Sequence, residues 1–247
     1  MGIKMDKAVK DALAPKGVLR AGINLSNFLL VSGKLLDGSP EGISADLAKR
    51  IAKEIGVPCE FVPFDRPGEL ADAVDMDMWD IGNIAFEAER AQTIDFSIPY
   101  VLIDANFLVR KDAAFTTNGE VDKAGVRIAV SDRSAYDLWL TNHFKNAEII
   151  RAKSIQGSHE IFLRGEADVL ASLKPKLLEE LSSSNDYRII QTPFTAVKQS
   201  VGVKKGNQEA VRFLNDLIGK LIANGFIGAS LKEHRVDQKL SIPDDGN

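Results

Sequence analysis

The chain has 247 residues, 45% of them apolar and 27% charged, enough to bury the core of one large or two modest domains beneath a hydrated surface. A net charge of −4 argues against the basic face of a nucleic-acid binder. Three scattered histidines (His143, His159, His234) and one cysteine (Cys59) exclude zinc-type spacing and an internal disulfide, so no metal or cofactor is expected.

Strand-like and helix-like segments alternate from the start, which predicts an α/β architecture with largely parallel sheets. Val18–Ile23 reads as a strand. Ser44 is placed to N-cap a helix over Ala45–Ile55, whose Leu47, Ala48, Ile51, Ala52 and Ile55 recur at helical spacing, with Gly56 as its stop. Cys59–Phe64 alternates like a strand and holds Cys59 as a buried, inert thiol. Pro67 opens a short helix to about Val74. A strand around Ile81 and Ile84 runs into a turn ending at Arg90, and an extended run follows at Ala105–Arg110.

The polar segment Asp112–Asp122 is a shift in composition, and a second α/β series follows it. Strands are expected at Val126–Val130, Glu148–Ile150, Val169–Ala171 and Arg188–Ile190. Helices are expected from Ser134 to His143, near Ser158–Arg164, and from Pro175 to Leu181. Gln199–Lys204 reads as a further strand. Asn207 starts a helix with Val211, Leu214, Leu217, Ile218, Leu221 and Ile222 on one face, stopped by Gly225. No run of about 18 apolar residues would span a membrane, and residues 1–16 lack the apolar stretch of a signal peptide.

The most informative block is Trp79-Asp80-Ile81-Gly82-Asn83-Ile84-Ala85-Phe86-Glu87-Ala88-Glu89-Arg90, closed by Ile94-Asp95-Phe96-Ser97-Ile98-Pro99-Tyr100. A guanidinium beside free backbone N–H groups is a planar, bidentate carboxylate receptor. The alternative is a surface arginine paired with Glu87 or Asp95, which contributes little. The block resembles the signature of type II periplasmic binding proteins, the polar-amino-acid family known as extracellular solute-binding protein family three. Gly42-Ile43-Ser44-Ala45-Asp46-Leu47-Ala48 and Gly56-Val57-Pro58-Cys59-Glu60-Phe61-Val62-Pro63 match further blocks of that family in the same order.

The resemblance covers about residues 16 to 235. It implies a two-lobed fold, each lobe a sheet flanked by helices, with a ligand cleft between them. The first lobe would hold residues 1–108 and 198–247 and the second 109–197, with hinge strands near 107–111 and 193–201. It also implies that Arg90 binds the ligand's carboxylate. Val130-Ser131-Asp132-Arg133-Ser134-Ala135-Tyr136 matches the second lobe's anion-binding turn, so Ser134 and Ala135 join the expected site, Ser134 capping its helix as well.

Several positions depart from the family pattern. Phe28 falls where an aromatic often covers the ligand, or packs in the core. Asn83 and Ala85 sit in the expected turn before Arg90; Ala85 replaces a common serine, and Asn83 either offers its amide to the ligand or bonds its own backbone. Leu173 stands where amino-acid binders carry the aspartate that receives the α-ammonium, so ordinary zwitterions are expected to bind poorly unless Asp104 or Glu41 takes that role. Asp104 is otherwise a solvated turn residue, and Gln199, at the second crossing, reaches the ligand or pins the hinge.

Three functions follow from the resemblance. The first is a monomeric solute-binding protein outside the cytoplasm, its signal removed, which delivers a small carboxylate (amino-acid-like or an organic acid) to the permease of an ABC transporter. The second is an enzyme like cyclohexadienyl dehydratase, for which Glu87, Glu89 and Asp104 are available acids. The third is the sensing module of a receptor.

Overall fold

A computed structural model describes residues 7–243. Two compact units emerge, the first from the stretch up to Leu102 together with the chain from Lys198 onward, the second from Ile103–Val197.

The first unit begins with helix α1 (Lys7–Leu13) and strand β1 (Leu19–Asn24), followed by a small antiparallel hairpin of β2 (Gly33–Lys34) and β3 (Pro40–Glu41). Helix α2 (Ile43–Ile55) buries the predicted stripe of Leu47, Ala48, Ile51, Ala52 and Ile55 and ends at Gly56 in a left-handed conformation. Its start differs from expectation. Gly42 precedes it at φ +139°, and a side chain there would collide with the carbonyl oxygen of Leu30, so the helix begins two residues early. Ser44 is therefore no cap; it lies inside the helix, buried, with its hydroxyl 3.3 Å from that of Tyr100.

Strand β4 (Cys59–Phe64), helix α3 (Pro67–Asp72), a 3-10 turn over Ala73–Met76, strand β5 (Ile81–Ala85) and strand β6 (Ile94–Phe96) follow. Strand β1 pairs in parallel with β4 on one side and β5 on the other. Phe64, Leu70, Ala73, Val74, Trp79, Ile84 and Ile94 form one core, within which the Trp79 indole N–H donates to the Leu70 carbonyl at 3.0 Å. Cys59 is half-buried, and burial pushes its thiol up to about 11, which leaves it protonated and unreactive.

The chain passes into the second unit along strand β7 (Val101–Arg110). There β8 (Arg127–Ser131), α4 (Ala135–His143), β9 (Glu148–Ala152), α5 (Ile155–Leu163), β10 (Val169–Leu173), α6 (Lys174–Ser183) and β11 (Tyr187–Ile189) come in order. Strand β8 lies parallel to β9 and β10, while β10 and β11 run antiparallel to β7. Leu108, Ala129, Phe162, Ala167, Leu170, Leu177 and Ile189 make the core of this unit. The polar segment 112–122 lies inside it, where the Asp122 carboxylate accepts the backbone N–H groups of Lys145, Asn146 and Ala147.

Strand β12 (Thr195–Lys204) returns the chain to the first unit and runs antiparallel to both β5 and β6. Two helices complete that unit: α7 (Gln208–Ala223), capped by the Asn207 side chain as expected, and α8 (Phe226–Glu233) after Gly225. The periodicity of the sequence did not mark α1, the small hairpin or α8. Nor did it distinguish the antiparallel strands, because pairing direction leaves no trace in the spacing of apolar residues.

Candidate functional site

In the first unit, β5 is pinned on both sides, by β1 at Ile81–Asn83 and by β12 at Gly82–Ala85. Asn83 and Ala85 are thus strand residues rather than turn residues, and the turn comes after them. It opens where the Phe86 N–H donates to the Lys198 carbonyl at 2.9 Å and closes where the Ala91 N–H donates to the Glu87 carbonyl, also at 2.9 Å. Arg90 lies within this turn, as the first residue of a short 3-10 helix.

This geometry turns the arginine inward. Arg90 is only 5% exposed, and its Nη1 donates to the Ala85 carbonyl at 2.9 Å, so it is not the surface arginine of the alternative reading. The Asp95 carboxylate, one of the partners that reading offered, instead accepts from Lys205, Gln208 and the Gly206 N–H. Asn83 is buried, and neither atom of its side-chain amide has a hydrogen bond among the described residues, so it does not bond its own backbone. A buried amide without partners costs on the order of 1–3 kcal/mol. Gln199 on β12 stands opposite Ala85 and is buried, its carbonyl accepting from the Tyr100 N–H at 2.8 Å. Phe28 occupies a turn over Asn27–Leu30 and is half-buried, outside the core of fully buried side chains.

Glu87 is the acid closest to Arg90 in the chain apart from exposed Glu89. It is half-buried, and no hydrogen bond or ion pair reaches its carboxyl among the described residues. Burial pushes it up to about 7, against the opposing pull of Arg90 and Lys198.

The second unit holds the remaining candidates. Ser134 caps α4 as expected, its buried hydroxyl accepting the Asp137 N–H at 3.1 Å, and Ala135, also buried, is the first residue of that helix. Arg133 adopts a left-handed φ of +54°, and its N–H donates to Asp137 Oδ2 at 2.7 Å. Burial raises the Asp137 carboxyl, while the Arg133 N–H and the Arg151 guanidinium, 3.0 Å away, pull it back down. Asp104 lies within β7 rather than in a solvated turn, and its carboxylate faces Lys174 at 3.6 Å. Leu173, paired with Ala105, is buried at the end of β10 and brings no charge.

A polar chain in this unit has no counterpart in the spacing of the sequence. Glu180 Oε1 lies 2.7 Å from His159 Nδ1, and His159 Nε2 lies 3.1 Å from the Ser172 hydroxyl. The Tyr136 hydroxyl is buried among Ser131, Ser134 and Ser172, close enough to feel all three though it makes no well-formed hydrogen bond with any, and burial pushes it up to about 12. Burial also lowers His159, which Glu180 opposes, so a neutral imidazole fits the site. These residues meet from α4, α5, β10 and α6, and the only hint was that Ser131, Ser134 and Tyr136 share one turn. No group of three or more His, Cys, Asp or Glu able to hold a metal occurs among the described residues. No helix among them is long and apolar enough to cross a membrane.

Comparison with known proteins places this architecture. The L-cystine-binding protein TcyJ of Escherichia coli is 23% identical over 227 residues, covering 91% of this chain and 85% of that one. Among solved structures, a mutant of ArgBP from T. maritima superposes with a TM-score of 0.72 at 21% identity, covering 92% of this chain and 99% of that one. The ancestral amino acid-binding protein AncCDT-1, described as a precursor of cyclohexadienyl dehydratase, superposes with a TM-score of 0.71 at 24% identity over 90% of this chain and 97% of that one. The sequence pattern of one family matches residues 33–235, which takes in β5, Arg90 and the α4 turn together, and on that match the chain belongs to the bacterial extracellular solute-binding proteins, family 3.

Proposed function

We propose that the protein captures a small carboxylate-bearing solute, amino-acid-like or an organic acid, outside the cytoplasm and hands it to the permease of an ABC transporter. The observation that carries this reading is Arg90, a buried guanidinium held in place by the Ala85 carbonyl at the end of a strand fixed on both sides. Such a group is oriented before the ligand arrives, which favours bidentate recognition of a carboxylate. The buried Asn83 amide on the same strand is a polar group in want of a partner. In the second unit, the N-terminus of α4 at Ser134 and Ala135 offers backbone N–H groups and the positive end of a helix. We assign Phe28, Gln199 and Asp104 supporting roles in contact with the solute.

The reading is tested by calorimetry. Arg90→Ala should weaken binding of the solute by about 2–5 kcal/mol, since a desolvated charge pair is lost, and Arg90→Lys should restore only part of it. Unchanged affinity in Arg90→Ala would remove the central claim. The protein is read as a carrier, so conversion of prephenate to phenylpyruvate by the purified protein would replace this reading with the dehydratase one.

A further inference from the structure

We propose that Glu87 receives a cationic nitrogen carried by the solute, so that the first unit alone recognises both charges of an α-amino acid. This rests on the reading of Arg90 as the carboxylate anchor.

Both charged side chains are rooted in the same short turn. Glu87 and Arg90 lie three residues apart, and the hydrogen bond from the Ala91 N–H to the Glu87 carbonyl ties the ends of that stretch together. The two charged groups of an α-amino acid are carried on one carbon, so an acid and a guanidinium rooted in one turn are the natural pair to receive both.

The other acids weighed for this role are paired, exposed or outside that turn. Asp95 is saturated by Lys205, Gln208 and the Gly206 N–H. Glu89 is exposed. Glu41 sits in the small hairpin opposite Gly33. In the second unit Asp104 faces Lys174, and Leu173 is apolar. Of the acids in the turn that holds Arg90, Glu87 alone combines partial burial with a carboxyl that no hydrogen bond satisfies among the described residues. A carboxylate withdrawn from water without a partner is costly, and an arriving ammonium removes that cost by supplying charge and donors at once. This reverses the expectation that Leu173 makes zwitterions poor ligands, because the counter-charge has moved from one unit to the other.

Proton bookkeeping follows. The charged groups acting on Glu87 are Arg90 and Lys198, and burial outweighs both, so Glu87 is partly protonated near pH 7. An ammonium favours the ionised form, so an α-amino acid should expel that proton as it binds. Affinity should rise as pH increases through about 7 and then level off.

The experiment is titration calorimetry on the full chain with L-cystine, L-arginine and L-glutamine. Each is paired with its deaminated analogue: 3,3′-dithiodipropionate, 5-guanidinopentanoate and 4-carbamoylbutanoate. The wild type should prefer at least one amino acid over its analogue by on the order of 10–100-fold, as for a hydrogen bond to a charged group. Binding of that amino acid should also release protons when measured in two buffers of different ionisation enthalpy. Glu87→Gln, which keeps the side chain's shape, should bring the preference close to parity and abolish the proton release. A preference that survives Glu87→Gln overturns the inference, as does tight binding of the deaminated acids with no α-amino acid bound. In either of those cases Arg90→Ala decides the parent reading separately: loss of all carboxylate binding upholds it, and unchanged binding overturns it together with the role of Glu87.

Discussion

Glu87 and His159 respond to pH in opposite senses, and each follows from burial. Glu87 titrates near 7 in the folded protein against an ordinary 4.5, so its stabilising effect is full below about 4.5 and is lost as pH rises through about 7. Glu87→Gln should therefore raise the melting temperature relative to the wild type at pH 8 and lose that advantage near pH 5. A constant difference across that range would mean the carboxyl is not desolvated. His159 is depressed below its ordinary 6.5, so its contribution is present above that value and fades as pH falls through the lower, folded one. His159→Asn should flatten the acid side of the stability curve, whatever it costs in absolute stability. The turn that ends near Arg90 and the Ser134 cap of α4 were legible in the sequence because each belongs to a local motif with a geometric job. Asn83 and Asp104 were misread as turn residues, since a strand's end cannot be located to within two residues from apolar spacing alone. The contacts of Glu180, His159 and Ser172 were not legible at all, because they join three elements through packing.

The elements obey local rules except where tertiary contact intervenes. Helix α4 starts where its cap dictates, and Ser134→Ala should cost about 1 kcal/mol in chemical denaturation, from the loss of the bond to the Asp137 N–H. Helix α2 starts instead where Gly42 lets the chain pass close to Leu30. Gly42→Ala should cost more than the cap of α4, at least about 2 kcal/mol, because strain and collision act together; a smaller loss would show that Leu30 yields. The same helix is tied to the end of the chain through Asp46, whose Oδ2 accepts the Ser230 hydroxyl at 2.6 Å and lies 2.9 Å from His234 Nε2. In the sequence Asp46 stood out only as a member of the block Gly42–Ala48. Its partners lie more than 180 residues away, beyond the reach of any periodic pattern.

For the molecule as a whole, the α/β class was legible because strands and helices alternate in order through both units. The return of the chain near Lys198 came only from the resemblance and the antiparallel pairing of β12 from neither source, and that pairing matters most to the first unit. Without Lys198–Lys204, β5 loses its neighbour on one side, and with it the bracing of the turn that carries Arg90. The consequence is temporal. A ribosome delivers the entire second unit before it delivers the strand and helices that complete the first. Chains truncated just short of Lys198 should keep protected amides in β8, β9 and β10, while β5, left with β1 alone, exchanges faster than in the whole protein. The arginine proposed to anchor the solute is thus present from early in synthesis but acquires its setting among the last parts of the molecule to form.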